Sequence, residues 1–252
     1  MNDWLEFEIA DGIGLLRLNR PPANVMDLAF LNGLADRFEA LAGDAALQVL
    51  VVTGQGGVFS AGLDLKTVPF LDAEEQKPMI AAINRAFGRL YCFPRPTIAA
   101  INGHAIAGGM VLALCCDYRI ACDDKCQMGL AEVRVGVPYP IAAMEAAASE
   151  LPRQAGRQMI MFGRDIGPQA ALDWGAVDQL TPAGELEDAA MNKARELAQI
   201  PRNTYEKVKR QYRRAAMRRI EDVIANQNDP LREDWLSAET TEAARAMLDG
   251  LR

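Results

Sequence analysis

Two glycine-rich segments carry the pattern most suggestive of chemistry: residues 60–64 (SAGLD) and 103–109 (GHAIAGG). Glycine lets a backbone approach a ligand closely and turn its N–H groups outward. A helix beginning near Gly108 would add the positive end of its dipole. If two such N–H groups converged, they would form an oxyanion hole. Two ordinary tight turns are the alternative, which glycine content alone favours.

Two ionisable side chains lie in or after such segments. Glu132 follows the apolar residues 128–131 (MGLA), and apolar surroundings would raise its pKa and favour a proton shuttle. Its spacing alone, however, favours a surface carboxylate at a strand end. His104 is the only histidine, so Ser-His-Asp and Cys-His mechanisms would depend on a residue inside a glycine turn. A structural or substrate-lining role for His104 is favoured over catalysis.

Other ligand classes fit the chain less well. Neither glycine segment is followed by Gly-Lys-Ser/Thr or has the G-x-G-x-x-G spacing, which argues against a nucleotide loop. The net charge of −7 argues against nucleic acid as the main partner. The five cysteines are odd in number and lack the usual paired knuckles of a zinc site, so we expect reduced thiols and no metal.

The elements that must position these residues alternate through the first half of the chain. We predict a hairpin over 5–19, a helix from Asp27, and a strand over 47–53. A helix over 74–91, the strand Thr97–Ile101, a helix over 110–116 and the strand Tyr118–Cys122 follow. Another strand begins at Gln127 and a short one lies near 176–180. The rest from about residue 139 is mainly helical, with a break at 228–230. This order predicts an α/β or α+β fold.

No segment is expected to cross or enter a membrane. Residues 97–116 reach membrane length, but the polar residues and glycines within them indicate a strand, a turn and a buried helix. Residues 1–12 lack a basic signal-peptide region, and the final DGLR is not a peroxisomal signal. We therefore expect a cytoplasmic protein.

Three motifs in order resemble those of the crotonase (enoyl-CoA hydratase/isomerase) superfamily. Residues 59–65 (FSAGLDL) resemble its F-x-A-G-x-D-L loop. Residues 102–109 (NGHAIAGG), followed by 116–121 (CDYRIA), resemble its second motif, and residues 18–21 (LNRP) are similar to its L-N-R-P strand. The likeness spans about residues 5 to 200. Several motifs in order are far more specific than one alone.

The resemblance implies a spiral core of ββα units over 1–200 and a helical trimerisation region over 201–252. It implies a homotrimer or homohexamer that binds an acyl-CoA thioester as substrate, with no separate cofactor. The catalytic groups would be Glu132 and the backbone N–H donors of Leu63 and Gly108. The residues expected to contact the CoA ligand are Ala23, Ala61, Gly62, Leu63, Asp64, Leu65 and Gly108. Asp64 is expected to cap its loop, and Asp117 to be a buried structural carboxylate.

The resemblance also bears on the reaction. Hydratases of this superfamily use two glutamates, and this chain has Val111 at the first position and Glu132 at the second. Adding water to a double bond needs a base and an acid, whereas moving a proton from C2 to C4 of a 3-enoyl thioester needs one carboxylate. Residues 135–140 (VGVPYP) replace the hydratases' usual P-G-x-G-G. The chain is thus most similar to the single-glutamate Δ3,Δ2-enoyl-CoA isomerases of fatty-acid metabolism.

Other functions remain open at this point: a hydratase, or a single-carboxylate acyl-CoA hydrolase or decarboxylase. An RNA-binding crotonase homologue belongs to a different class; the net charge opposes it, although residues 207–219 carry seven basic residues. Four of these, Lys207, Arg210, Arg214 and Arg218, are predicted on one helical face, opposite Tyr205, Val208, Tyr212 and Ala216. That face could meet CoA phosphates or another subunit, but a solvated face is favoured.

Overall fold

The structure, a computed structural model, describes residues 4–250. The expectations about a leader and a targeting signal rest partly on residues 1–3 and 251–252, which lie outside the described residues. Nine β-strands occur in the described part of the chain. They are β1 (Leu5–Ala10), β2 (Ile13–Leu18), β3 (Val49–Gly54), β4 (Val58–Ser60), β5 (Thr97–Ile101), β6 (His104–Ile106), β7 (Tyr118–Cys122), β8 (Met128–Gly129) and β9 (Gln179–Thr181).

The larger sheet has six strands in the order β1-β2-β3-β5-β7-β9. Strands β1 and β2 form the predicted antiparallel hairpin, and the remaining pairs are parallel. All six residues of β3 are buried, which suits a central parallel strand covered on both faces. The sequence predicted the bounds of β5 and β7 correctly, since each is a short segment of mainly apolar and β-favouring residues bounded by loop or turn residues.

A second, smaller sheet consists of the parallel strands β4, β6 and β8. In its centre, Ala105 of β6 pairs with Met128 and Ile106 pairs with Gly129. The sequence indicated only a glycine-rich loop and a glycine turn where β4 and β6 lie. Both strands have three residues, too few for a periodic pattern to reveal them.

Helices cover the sheets and dominate the second half. They are α1 (Leu28–Gly43), α2 (Ala73–Tyr91), α3 (Gly108–Leu114), α4 (Ile141–Glu150), α5 (Arg153–Gly156), α6 (Pro168–Asp173), α7 (Leu186–Leu197), α8 (Arg202–Tyr212), α9 (Arg214–Asn226) and α10 (Ala238–Gly250). The side chain of Asp27 caps α1 by accepting from the Phe30 amide, as the sequence predicted. No helix within residues 4–250 is long and apolar enough to cross a membrane.

The carboxyl-terminal helices pack onto the core of the same chain. A Cβ added at Gly88 of α2 would lie 2.6 Å from Ile220 of α9, so these two helices approach closely. The hydroxyl of Thr240 in α10 donates to the Gly136 carbonyl at 2.6 Å. The division at residue 200 and the role of 201–252 in trimerisation remain predictions.

The prediction that the four basic residues share one helical face opposite Val208 and Tyr212 is wrong, although all four are exposed, in agreement with the favoured interpretation of a solvated surface. The chain changes direction at Arg213, between α8 and α9, so the four basic residues do not share one helix. Lys209 and Arg213 are buried, whereas Val208 and Tyr212 are exposed. The reason is an acidic partner inside the core, Asp117, which pairs with both cations and turns that side of α8 inward.

Candidate active site

The carboxyl edge of the smaller sheet brings together the three segments with predicted catalytic residues. Strand β4 leads to Leu63, β6 to Gly108 and β8 to Glu132, each a few residues beyond its strand. Because the three strands are parallel, their carboxyl ends lie along one edge. Ligands of open α/β sheets bind outside this edge. The geometry makes it the candidate active site.

The segments of Leu63 and Gly108 are in direct contact. Met26 forms an isolated parallel bridge with Leu63: the Met26 amide donates to the Gly62 carbonyl at 2.8 Å, and the Asp64 amide donates to the Met26 carbonyl at 3.0 Å. This pairing uses the Gly62 carbonyl and the Asp64 amide and does not involve the Leu63 N–H. Within the described chain, the Leu63 N–H has no hydrogen-bond acceptor. It is therefore available to a ligand.

Gly108 supplies a second available donor because it is the first residue of α3, whose opening N–H groups have no partner inside the helix. A Cβ added at Gly62 would lie 2.8 Å from the Gly108 nitrogen, which shows how closely the two loops approach. Just before α3, the Ala107 amide donates to the Gly129 carbonyl at 2.7 Å. That bond joins the start of α3 to the end of β8, and so to the segment that carries Glu132.

Glu132 begins a 3₁₀ turn, Glu132–Val135, and is only 7% exposed. Burial raises the pKa of its carboxyl to about 7, and the nearby Asp165 also acts to raise it. Hydrogen bonds from Tyr139 and from the Glu132 N–H oppose that rise. The Tyr139 hydroxyl donates to Oε2 at 2.8 Å. A carboxyl with a pKa near neutrality can both accept and return a proton.

The position of the hydratases' first glutamate is apolar in the structure as well as in the sequence. Val111 is fully buried in α3.

The carboxylate that could not be recognised from the sequence is Asp165: a Cβ added at Gly129 would lie 2.0 Å from its Oδ1. Asp165 also forms an ion pair with Arg134, which occupies its other oxygen. No sequence signal marked Asp165, because only the tertiary fold brings it beside β8.

The residues predicted to contact the CoA ligand lie on adjoining backbone segments. The Ala61 amide donates to the Ala23 carbonyl at 3.0 Å, which joins the 21–24 segment to the 61–65 loop. Asp64 caps this loop, since its Oδ1 accepts from the Lys66 amide at 3.0 Å. Leu65 follows in the same loop. Their contacts with CoA remain predictions.

Two other polar residues have structural partners. His104 is exposed, and its Nδ1 accepts from the Gln127 amide at 3.1 Å, which joins β6 to the residue before β8. Asp117 is paired with Lys209 at 2.8 Å and with Arg213 at 2.9 Å.

All five cysteines are free thiols, and within residues 4–250 no group of three His, Cys, Asp or Glu side chains could hold a metal ion.

A small parallel sheet beside a larger six-stranded sheet, with two candidate N–H donors and one buried carboxyl at its edge, matches the arrangement expected for the crotonase fold. Comparison with known proteins agrees: the Enoyl-CoA hydratase/isomerase family model matches residues 8–247. The chain belongs to the enoyl-CoA hydratase/isomerase family. Its α/β fold class and its standing as an enzyme of this family, both expected from the sequence, are confirmed.

Individual relatives differ in the reactions their names describe. The chain is 29% identical to human mitochondrial enoyl-CoA delta isomerase 1, over 86% of this chain and 72% of that protein. It is 32% identical to hydroxycinnamoyl-CoA hydratase-lyase of Pseudomonas fluorescens, over 77% and 72%. The crystal structure of human mitochondrial delta3-delta2-enoyl-CoA isomerase superposes with a TM-score of 0.87 at 26% identity, covering 99% of this chain and 98% of that one. These similarities establish the family but not the reaction.

Proposed function

We propose that this protein is an enoyl-CoA isomerase that moves the double bond of a 3-enoyl-CoA thioester to the 2-position. The observation that carries the proposal is the single carboxyl at the predicted catalytic positions. Glu132 is buried with a pKa of about 7, and Val111 stands where a second glutamate would be needed for hydration. We further propose that this reaction belongs to fatty-acid metabolism.

The reaction can be written with the groups at the sheet edge. The thioester oxygen accepts hydrogen bonds from the N–H groups of Leu63 and Gly108, which stabilise the negative charge that develops on it. Ionised Glu132 removes a proton from C2; the electron pair of that C–H bond forms a C1=C2 bond while the carbonyl pair moves onto the thioester oxygen, which gives a dienolate. As the carbonyl re-forms, the C1=C2 pair becomes the C2=C3 bond and the C3=C4 pair takes the same proton from Glu132 at C4. Glu132 ends as it began, so no further acid or base is required.

Product analysis tests the reaction. The protein is offered 3-hexenoyl-CoA and 2-hexenoyl-CoA in separate reactions, and the products are identified by mass and chromatography. We expect conversion of the first substrate to 2-hexenoyl-CoA and little addition of water to the second. Rapid formation of a 3-hydroxyacyl product or of free acid would instead identify a hydratase or a hydrolase. Release of carbon dioxide from a malonyl-type thioester, which carries the free carboxylate that hexenoyl-CoA lacks, would identify a decarboxylase. Glu187→Gln changes an exposed carboxylate that is paired with Arg17. It serves as the control for the Glu132→Gln variant described in the Discussion.

We also infer a homotrimer or homohexamer that uses the 201–252 region. Support comes from α8, which leaves Val208 54% exposed and Tyr212 88% exposed, an unusual degree of exposure for apolar side chains on one helix. Light scattering should give a trimeric or hexameric mass, and Tyr212→Lys should reduce it. The neighbouring exposed change Gln211→Lys is the matched control. A monomeric mass for the unmodified protein would refute the inference.

A further inference from the structure

Tyr139 stands out because its hydroxyl contacts the Glu132 carboxyl, yet the two-donor, one-carboxylate mechanism does not use it. The hydroxyl donates to Oε2 at 2.8 Å. Burial, together with the charge of Glu132, raises the pKa of Tyr139 far above its usual range. The phenol therefore stays protonated at neutral pH, and it remains a hydrogen-bond donor.

The segment that carries Tyr139 is held on both sides. The Val137 amide donates to the Glu132 carbonyl at 3.0 Å and closes the turn between the two residues. The indole N–H of Trp235 donates to the Pro138 carbonyl at 2.8 Å. Pro140 then precedes the first residue of α4. The ring of Tyr139 is thus presented to Glu132 by a backbone with little freedom to move.

We propose that Tyr139 is the positioning residue of the acid–base group: its hydroxyl holds Oε2 of Glu132 so that Oε1 is the oxygen that exchanges the proton with substrate. The inference rests on the proposed isomerase function for the role of Oε1. The hydrogen bond itself does not depend on that function. No other side chain in residues 4–250 donates a hydrogen bond to this carboxylate.

The Tyr139 hydroxyl has a second possible acceptor nearby, so it can keep a hydrogen bond when Glu132 changes its protonation state. The Leu130 carbonyl lies 3.4 Å from the Tyr139 oxygen, longer than the bond to Glu132. When Glu132 is ionised, its charge makes it the stronger acceptor, since hydrogen bonds to ions are stronger than neutral ones. When Glu132 holds the substrate proton, the hydroxyl can rotate toward Leu130 without losing all its hydrogen bonding.

Few other charges act on Glu132. Asp165, beside Gly129, acts to raise the pKa of Glu132 but is itself paired with Arg134. Helix α10 packs on the same turn through the uncharged Thr240. Tyr139 is the side chain whose hydrogen bond opposes the effect of burial. Removing that bond should therefore raise the pKa of Glu132.

The test compares Tyr139→Phe with Tyr91→Phe. The control is closely matched, because the Tyr91 hydroxyl also donates to a carboxylate, that of Glu150, at 3.1 Å. Infrared titration of the Glu132 carboxyl, assigned by its loss in Glu132→Gln, measures the pKa without any substrate. We expect Tyr139→Phe to raise this pKa by about one pH unit, since a hydrogen bond to a charged group is lost. Tyr91→Phe should leave it unchanged.

Kinetics supply the second readout. In Tyr139→Phe the acidic limb of the kcat profile should move to higher pH, and kcat at pH 7 should fall at least about fivefold as the ionised fraction drops. KM should change little, because Tyr139 is not expected to touch substrate. If the variant does not fold, 3,5-difluorotyrosine at position 139 keeps the ring and makes the hydroxyl a stronger donor, which should lower the pKa of Glu132.

The two proposals can fail separately. An unchanged Glu132 pKa in a folded Tyr139→Phe protein, or in the fluorinated protein, overturns the role of Tyr139 whatever reaction is catalysed. A shifted pKa in a protein that does not isomerise 3-hexenoyl-CoA upholds the hydrogen bond's control of Glu132 and refutes the isomerase function. A lowered kcat with no shift of the acidic limb would indicate a general structural effect, and it too would overturn the proposal.

Discussion

The α-carbon of Gly62 lies against the backbone nitrogen of Gly108: a Cβ at Gly62 would be 2.8 Å from that nitrogen. Gly62 also has a φ of +80°, a conformation that other residues rarely adopt. The contact joins the 61–65 loop to the start of α3. It places the two candidate oxyanion donors, the N–H groups of Leu63 and Gly108, on adjoining backbone segments. Gly62, Gly108 and Gly109 differ in how much space each leaves for a side chain.

Gly108→Ala should fold normally but lose activity. A Cβ at Gly108 would lie 3.5 Å from Gly62, Met26 and Phe87, an ordinary contact distance. Alanine keeps the backbone N–H, but we expect the added methyl group to crowd the thioester and hold its oxygen away from that N–H. Loss of one oxyanion hydrogen bond costs about 100-fold or more in kcat. Gly108→Val should remove activity altogether, whereas Leu63→Ala, which keeps the backbone donor, should retain much of it.

The control for these glycine variants is Gly109→Ala. A Cβ there would lie 2.2 Å from the Ser60 carbonyl oxygen, so the backbone would have to move. We expect a clear drop in Tm for Gly109→Ala and almost none for Gly108→Ala. Full activity in Gly108→Ala would mean that the donor has been misplaced.

Glu132→Gln should abolish turnover and leave the fold intact. Glutamine keeps the shape of the side chain and an acceptor for Tyr139, but it cannot take a proton. Loss of a positioned base costs about 10² to 10⁴ in rate. Steady-state kinetics with 3-hexenoyl-CoA measure the loss, and circular dichroism monitors the fold. Near-normal turnover in this variant would exclude Glu132 as the proton carrier.

The same substitution should change how stability depends on pH. Because burial raises the pKa of Glu132 from its ordinary 4.5 to about 7, the unfolded chain releases this proton at lower pH than the folded one. Ionisation therefore destabilises the wild-type fold as pH rises from 4.5 to 7. Relative to wild type, Glu132→Gln should gain roughly 3 kcal/mol in unfolding free energy above pH 7, and nearly none of that gain should remain below pH 4.5. Urea unfolding at several pH values provides the measurement, and a pH-independent difference would contradict it.

Lys209→Met should destabilise the fold by about 3 kcal/mol, because it leaves Asp117 buried with one of its two cationic partners removed. Methionine keeps most of the buried stem, so the loss reports mainly on the charge. Lys207→Met, two residues earlier on the exposed side of α8, should have little effect. Equal Tm values for the two variants would show that the buried ion pair does not hold α8 in place.

RNA should bind weakly, if at all, at physiological salt. Of the seven basic residues in 207–219, Lys209 and Arg213 are buried. Arg210 is paired with Glu221, and Arg219 with Glu145. The basic residues that remain in this region are too few to bind successive phosphates of an RNA backbone. A fluorescence titration with single-stranded RNA at two salt concentrations tests this, and tight, salt-dependent binding would revive the RNA-binding alternative.

Much of the architecture was predictable because it depends on local patterns. The mainly apolar segments of β5 and β7, the capping aspartate of α1 and the turn of the first hairpin are properties of neighbouring residues. The motifs at 59–65 and 102–109 were also visible in order along the chain, and they indicated the family. The apolar residues around Glu132 predicted the direction of its pKa shift.

Contacts between distant residues were decided by the tertiary structure. Strands β4 and β6 are three residues long and become strands only by pairing with each other and with β8. The inward turn of Lys209 depends on Asp117, and the placement of Asp165 depends on Gly129. Composition and periodicity identify which residues are apolar, charged or able to turn. They do not specify which carboxylate a lysine will meet or which hydroxyl will reach Glu132, because those partners are selected by how the whole chain packs.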